Sequence, residues 1–197
     1  MNKGSRAKKE RQNKLLNKLK EDPFLTDEDI AEYLDVSIPT IRLDRLELGI
    51  PELRQRIRDV ASQNHKKVKA LNANEIIGEI VEIQLGENGI SILDTTEQMV
   101  FEQSKIVRGH FIYSFAESLA IAVIDAEVAL VGIANIKYKV PVYAGSRLVA
   151  KATVRQARQR NYIVWVMIYH KQKEVFRGKF ILVTIGNNDM QEVDKSE

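Results

Sequence analysis

Residues 26–48, TDEDIAEYLDVSIPTIRLDRLEL, read as two short helices joined by a tight turn. Thr26 is placed to N-cap the first helix, with Asp29 as the acidic partner of a capping box. Ser37 stands where the second helix should start, and Pro39 falls in its first turn, where a missing N–H costs little. Ile30, Leu34, Val36, Ile38, Ile41 and Leu46 have the spacing of a shared small core. The second helix also carries Thr40, Arg42 and Arg45, and some of these must face outward if Ile41 and Leu46 face inward. Such a pair is a helix-turn-helix, in which the second helix enters a DNA major groove.

Basic runs flank this motif. From Met1 to Lys20, eight lysines and arginines face Glu10 alone, and from Leu53 to Lys69 six face Asp59 alone. On either side of a helix-turn-helix, such runs suit phosphate neutralisation and counterion release. The chain has 197 residues, 44 % of them hydrophobic, which is the composition of a globular protein. Its net charge is only +3, and the surplus lies in the first seventy residues. That asymmetry predicts a nucleic-acid module joined to a domain with another task.

The absence of cysteine excludes disulfides, thiol catalysis and Cys-ligated metals, and suits a reducing cytoplasm. The three histidines, His65, His110 and His170, are scattered without metal-ligand spacing, so no metal site is expected. No apolar run reaches the roughly 20 residues of a membrane span, and the basic N-terminus lacks the apolar core of a signal peptide. There is neither a GxGxxG nor a GxxxxGK[ST] phosphate loop.

Residues 5–21 read as a first helix, with Leu15, Leu16 and Leu19 on one side. A further helix is expected from Pro51 to about Leu71, with a narrow apolar stripe of Leu53, Ile57, Val60 and Ala61. From Glu75 the grammar changes. EIIGEIVEIQ and GISILD are β-rich, and residues 104–124 form a helix apolar nearly all round, which marks a buried one. Four strand-like segments follow, EVALVGIANIKYKV, RLVAKATVRQA, NYIVWVMIYHK and KEVFRGKFILVTI. About six antiparallel strands and one buried helix predict an α+β domain with the sheet wrapped round the helix. The last dozen residues are polar and read as a frayed terminus.

The order of strands, long central helix and meander resembles the hot-dog fold of acyl-thioester-binding proteins. With the helix-turn-helix in front, the whole chain resembles the FapR family of bacterial repressors of fatty-acid and phospholipid synthesis. The matching segments are DPFLTDEDIAEYLDVSIPTIRLDRLELGIPELRQRIRDVA, EIIGEIVEIQ, ISILD, VFEQSKIVRGH and ESLAIAVID. The resemblance implies an α+β chain with a winged-type/helix-turn-helix DNA-binding domain (1–50), an amphipathic linker helix (51–71) and a hot-dog (thioesterase-like) effector and dimerisation domain (72–190). It implies a cytoplasmic, non-enzymatic homodimer, with no membrane association, on a palindromic double-stranded operator. Malonyl-CoA or malonyl-acyl carrier protein would be the releasing effector, and no cofactor is implied.

By the same resemblance Arg108 grips the malonyl carboxylate, Gly109 admits the ligand backbone, and Phe101 and Leu130 line the pocket. Ser37, Thr40, Arg42 and Arg45 belong to the DNA-reading helix, and Arg54 and Arg56 reach phosphates or the minor groove. A planar guanidinium clamps a carboxylate through two parallel bonds, which would separate malonyl from acetyl groups. The chain departs from the family pattern twice. Glu117 stands where the family usually has asparagine, at the point of the central helix where related thioesterases carry their general base or nucleophile. Such a carboxylate could pair with Arg108, or act on a thioester with an appended DNA-binding head as the alternative design. Pro39 replaces a usual glutamine and removes a donor to base edges. His110 reads as structural.

Overall fold

The computed structural model describes residues 3–185, with side chains described from residue 6. The polar last dozen residues, 186–197, lie outside the described residues. The chain divides into two compact units, residues 1–60 and 61–197.

The first unit is helical: α1 (Lys3–Glu21), α2 (Asp27–Leu34), α3 (Ile38–Glu47) and the start of α4 (Leu53–His65). Thr26 and Asp29 form the complete capping box at the start of α2. The turn to α3 begins at Asp35, in a left-handed conformation that short polar residues tolerate. Ser37 is the N-cap of α3, but its hydroxyl bonds the Thr40 hydroxyl at 2.9 Å instead of a backbone N–H. Leu15, Leu19, Ile30, Ala31 and Ile41 make the core, with Leu25, Leu34, Val36, Ile38, Leu48 and Ile50 around it.

Leu46 is not in that core. It is 75 % exposed. Five residues from Ile41 at about 100° each put the two roughly 140° apart, so they cannot share an inward face. The inward positions on α3 are Ile41, Asp44 and Arg45.

The second unit holds α5 (Gly109–Ala122) against one antiparallel sheet of β1 (Glu79–Gln84), β2 (Asn88–Asp94), β3 (Ala129–Tyr138), β4 (Arg147–Arg158), β5 (Asn161–His170) and β6 (Lys173–Thr184). The strand order is β1-β2-β4-β5-β6-β3. The meander β4–β5–β6 is therefore real, but β3 pairs with β6 at the far edge and not with β4. Helix α5 packs against β2, β3, β4, β5 and β6. Phe115, Ala116, Leu119 and Ala120 are essentially inaccessible, as its all-round apolar sequence requires. This is the hot-dog arrangement. The helix is shorter than the stretch 104–124, because residues 104–108 form a loop clamped by bridges Val100–Val107 and Ile106–Tyr143.

The helix expected from Pro51 to about Leu71 ends at His65. Beyond it, Val68, Ala70 and Leu71 pack on the hot-dog core, and within its last turn the Asn64 amide donates to the Ile80 carbonyl at 3.1 Å.

Candidate functional site

The first candidate surface is the outer side of α3. Arg42 lies on it, 62 % exposed, with one long contact of 3.6 Å to Asp27. Thr40 is half-buried and tied to Ser37. Arg54 is exposed at the start of α4.

Arg45 and Arg56, expected at DNA, are turned inward. Arg45 is 6 % exposed; its Nε and Nη2 donate to the two oxygens of Asp27 at 2.7 and 2.9 Å, and Nη1 donates to the Ile50 carbonyl. Arg56, equally buried, donates to the carbonyls of Pro23, Leu25 and Pro51. Burial, and then the nearby charge of Arg45, lower its hold on its proton. These guanidiniums are tied to main-chain and side-chain acceptors within the head.

Sequence reading also missed the pairing of α1 with α3. Arg11 and Gln12 donate to the buried carboxylate of Asp44, with Arg11 Nε at 2.6 Å, while Lys8 and Gln12 hold Glu47. Part of the basic face of α1 is thus spent inside the head. The outward remainder includes Arg6, Lys9, Lys14 and Lys20.

The second candidate site surrounds the N-terminus of α5. Arg108 is its N-cap residue and makes no side-chain capping bond. The half-buried guanidinium donates to the Gln98 carbonyl at 2.7 Å and the Met99 carbonyl at 3.5 Å, and stacks 4.9 Å from the Phe111 ring centroid. No carboxylate among the described residues lies within ion-pair reach of it. A cation with neutral partners at a helix N-terminus opposes the helix dipole, so an added anion there is favoured twice over.

Gly109 adjoins an apolar cleft of about 350 Å³, lined by Ile106, Val107, Ile112, Tyr138 and Val140 among others. A Cβ on Gly109 would come within 3.1 Å of the Tyr138 ring, whose hydroxyl donates to the Gly109 carbonyl at 2.9 Å. The glycine therefore admits Tyr138 in the first place. That partner was invisible in sequence because it comes from β3. Phe101 and Leu130 are 55 % and 54 % exposed, neither buried in core nor lining this cleft.

Glu117 is half-buried on α5 and accepts from the Tyr113 hydroxyl at 3.0 Å, so its partner is Tyr113 and not Arg108. Burial, with help from Glu117, pushes the Tyr113 hydroxyl up to about 12, so the phenol keeps its proton at neutral pH. Among the described residues no His, Cys, Asp and Glu group could hold a metal ion, and no helix is long and apolar enough to cross a membrane.

No family model matches the chain. It is 56 % identical to Transcription factor FapR of Caldanaerobacter subterraneus subsp. tengcongensis over 179 residues, 91 % of this chain and 90 % of that protein. It is 57 % identical, with the same coverage, to Transcription factor FapR of Thermoanaerobacter pseudethanolicus. Among solved structures it is similar to Cj0977, a sigma28-regulated virulence protein of Campylobacter jejuni, with a TM-score of 0.60. That match has 23 % identity and covers 66 % of this chain and 92 % of the other. At such identity the likeness speaks for the fold alone.

Proposed function

Because the chain belongs to the FapR family of transcription factors, we propose that it is a ligand-released repressor of fatty-acid and phospholipid synthesis genes. It binds a palindromic operator as a cytoplasmic homodimer, and malonyl-CoA or malonyl-acyl carrier protein releases it. The observation that carries the effector half is Arg108, a half-buried cation at the start of α5 that, among the described residues, is satisfied by carbonyls and a ring alone. A malonyl carboxylate supplies the missing anion, and its thioester arm follows the apolar surface beside Gly109. A ligand without the carboxylate forgoes charge-assisted bonds on the order of 1–3 kcal/mol, a roughly tenfold to hundredfold preference.

Release requires the ligand to favour an arrangement in which the two heads no longer match the half-site spacing. Helix α4 carries the chain from one unit to the other and is the element whose equilibrium the ligand biases. The test uses a duplex selected by the full-length protein from a random-sequence library. Arg108→Ala is expected to bind it normally and to stay bound when malonyl-CoA is added. Release of the variant at the concentration that releases the parent protein would remove Arg108 from the mechanism.

A second reading rests on Glu117. A half-buried carboxylate that accepts from a protonated tyrosine could direct water at a thioester carbonyl, making the protein a hot-dog acyl-CoA thioesterase with a DNA-binding head. A free-thiol assay separates the readings. The repressor reading expects no thiol from malonyl-CoA, whereas turnover abolished in Glu117→Ala establishes the enzyme.

A further inference from the structure

The outward arc of α3 is largely apolar. Leu43 is 61 % exposed and Leu46 is 75 % exposed, and Pro39 and Arg42 are exposed beside them. At about 100° per residue these four fall within an arc of roughly 100°, opposite the buried Ile41, Asp44 and Arg45. Two leucines bare to water on one small helix have no role in the head's own core. Arg42, the single hydrogen-bonding side chain of the arc, carries a charge that suits a polyanion and rejects a plain apolar partner. This is the second helix of the helix-turn-helix, the one that faces base edges.

In a major groove most base edges are donors and acceptors, and the thymine 5-methyl is the apolar exception. A leucine pressed on a G·C edge would strip water from acceptors without replacing their bonds, at a cost. Against a methyl it gains. Resting on the reading that the head binds duplex DNA, we infer that Leu43 and Leu46 recognise thymine methyl groups in each operator half-site. Arg42 is the polar contact at the edge of the same strip. Pro39, which has no donor, borders the same apolar strip, so α3 reads its site by methyl contact more than by hydrogen bonds.

The test again starts from duplexes that the full-length protein selects from a random library. Thymines in a selected duplex are replaced one at a time by deoxyuridine, which removes only the methyl group. At one or more positions per half-site, affinity is expected to fall about fourfold, the factor for one buried carbon at roughly 0.8 kcal/mol. Leu43→Ala and Leu46→Ala keep the helix, because alanine is its best former. Each is expected to abolish uracil sensitivity at its own position while leaving the salt dependence of binding unchanged. Indifference of the parent protein to every uracil overturns the inference, without recourse to any variant. So does full uracil sensitivity in the double variant, or a loss of self-association in place of base discrimination, which would make the strip a contact between copies. Failure to select any duplex would instead strike the DNA-binding reading itself.

Discussion

Arg56 donates to three main-chain carbonyls from two separate turns of the head, at Pro23, Leu25 and Pro51. Its truncation leaves three part-buried acceptors without that donor. Hydrogen bonds to a charged group are each worth about 1.5–3 kcal/mol and do not add fully, so Arg56→Ala is expected to destabilise the head by about 2–4 kcal/mol. Arg56→Lys should recover little, because one ammonium cannot span a fork of acceptors. The check is a thermal melt beside a salt titration of duplex binding. A phosphate contact would lower the salt slope by about one and spare the melt, whereas a structural arginine lowers the melt and spares the slope. Arg42, loosely held on the surface, is the control expected to show the opposite pattern.

Helix α1 is fastened to α3 by charge as well as by Leu15 and Leu19. Burial pushes the Asp44 carboxyl up, but hydrogen bonds from Arg11 and Gln12 and the charges of Arg11 and Lys8 outweigh it, leaving the group below the ordinary aspartate value of 3.8. A carboxyl held charged in the fold stabilises it above its unfolded value, and that stability drains away as pH falls through the folded one. The head is therefore expected to lose stability below about pH 4. Asp44→Asn should cost about 1–3 kcal/mol at neutral pH and flatten that acid limb, measured by denaturant titration at several pH values. Helices α2 and α3 were legible in sequence because capping residues and proline act locally, and α5 because it is apolar on every side. The inward turn of Arg45 was legible only through angles: it lies one turn from Ile41, whereas Leu46 does not share that face. Arg56 was illegible because its acceptors are carbonyls, which every residue carries. The Gly109–Tyr138 contact depends on where β3 runs, which no local pattern reports, whereas the Tyr113–Glu117 pairing is an i,i+4 contact on α5 that spacing alone allows.

At the scale of the molecule, the sheet ends at β3, whose far side pairs with no described strand. An edge strand is a template for another chain unless charge or a bulge blunts it. This one has a register shift between Val131 and Ile133, and it bares Leu130 and Ile133 on one face and Ile136 and Tyr138 on the other. Lys137 is the only charged side chain within the strand. Such an edge suits the homodimer proposed above, since a second copy would cover these apolar side chains and satisfy the open backbone groups. A palindromic operator then needs both heads, so assembly and affinity are linked. Ile133→Lys places a charge on the exposed face of this edge that Ile133 shares with Leu130. It is expected to turn the dimer into a monomer in sedimentation velocity and to weaken binding to the selected duplex at least tenfold, while each unit melts as before. A variant that stays dimeric and binds the duplex like the parent would move the interface off β3.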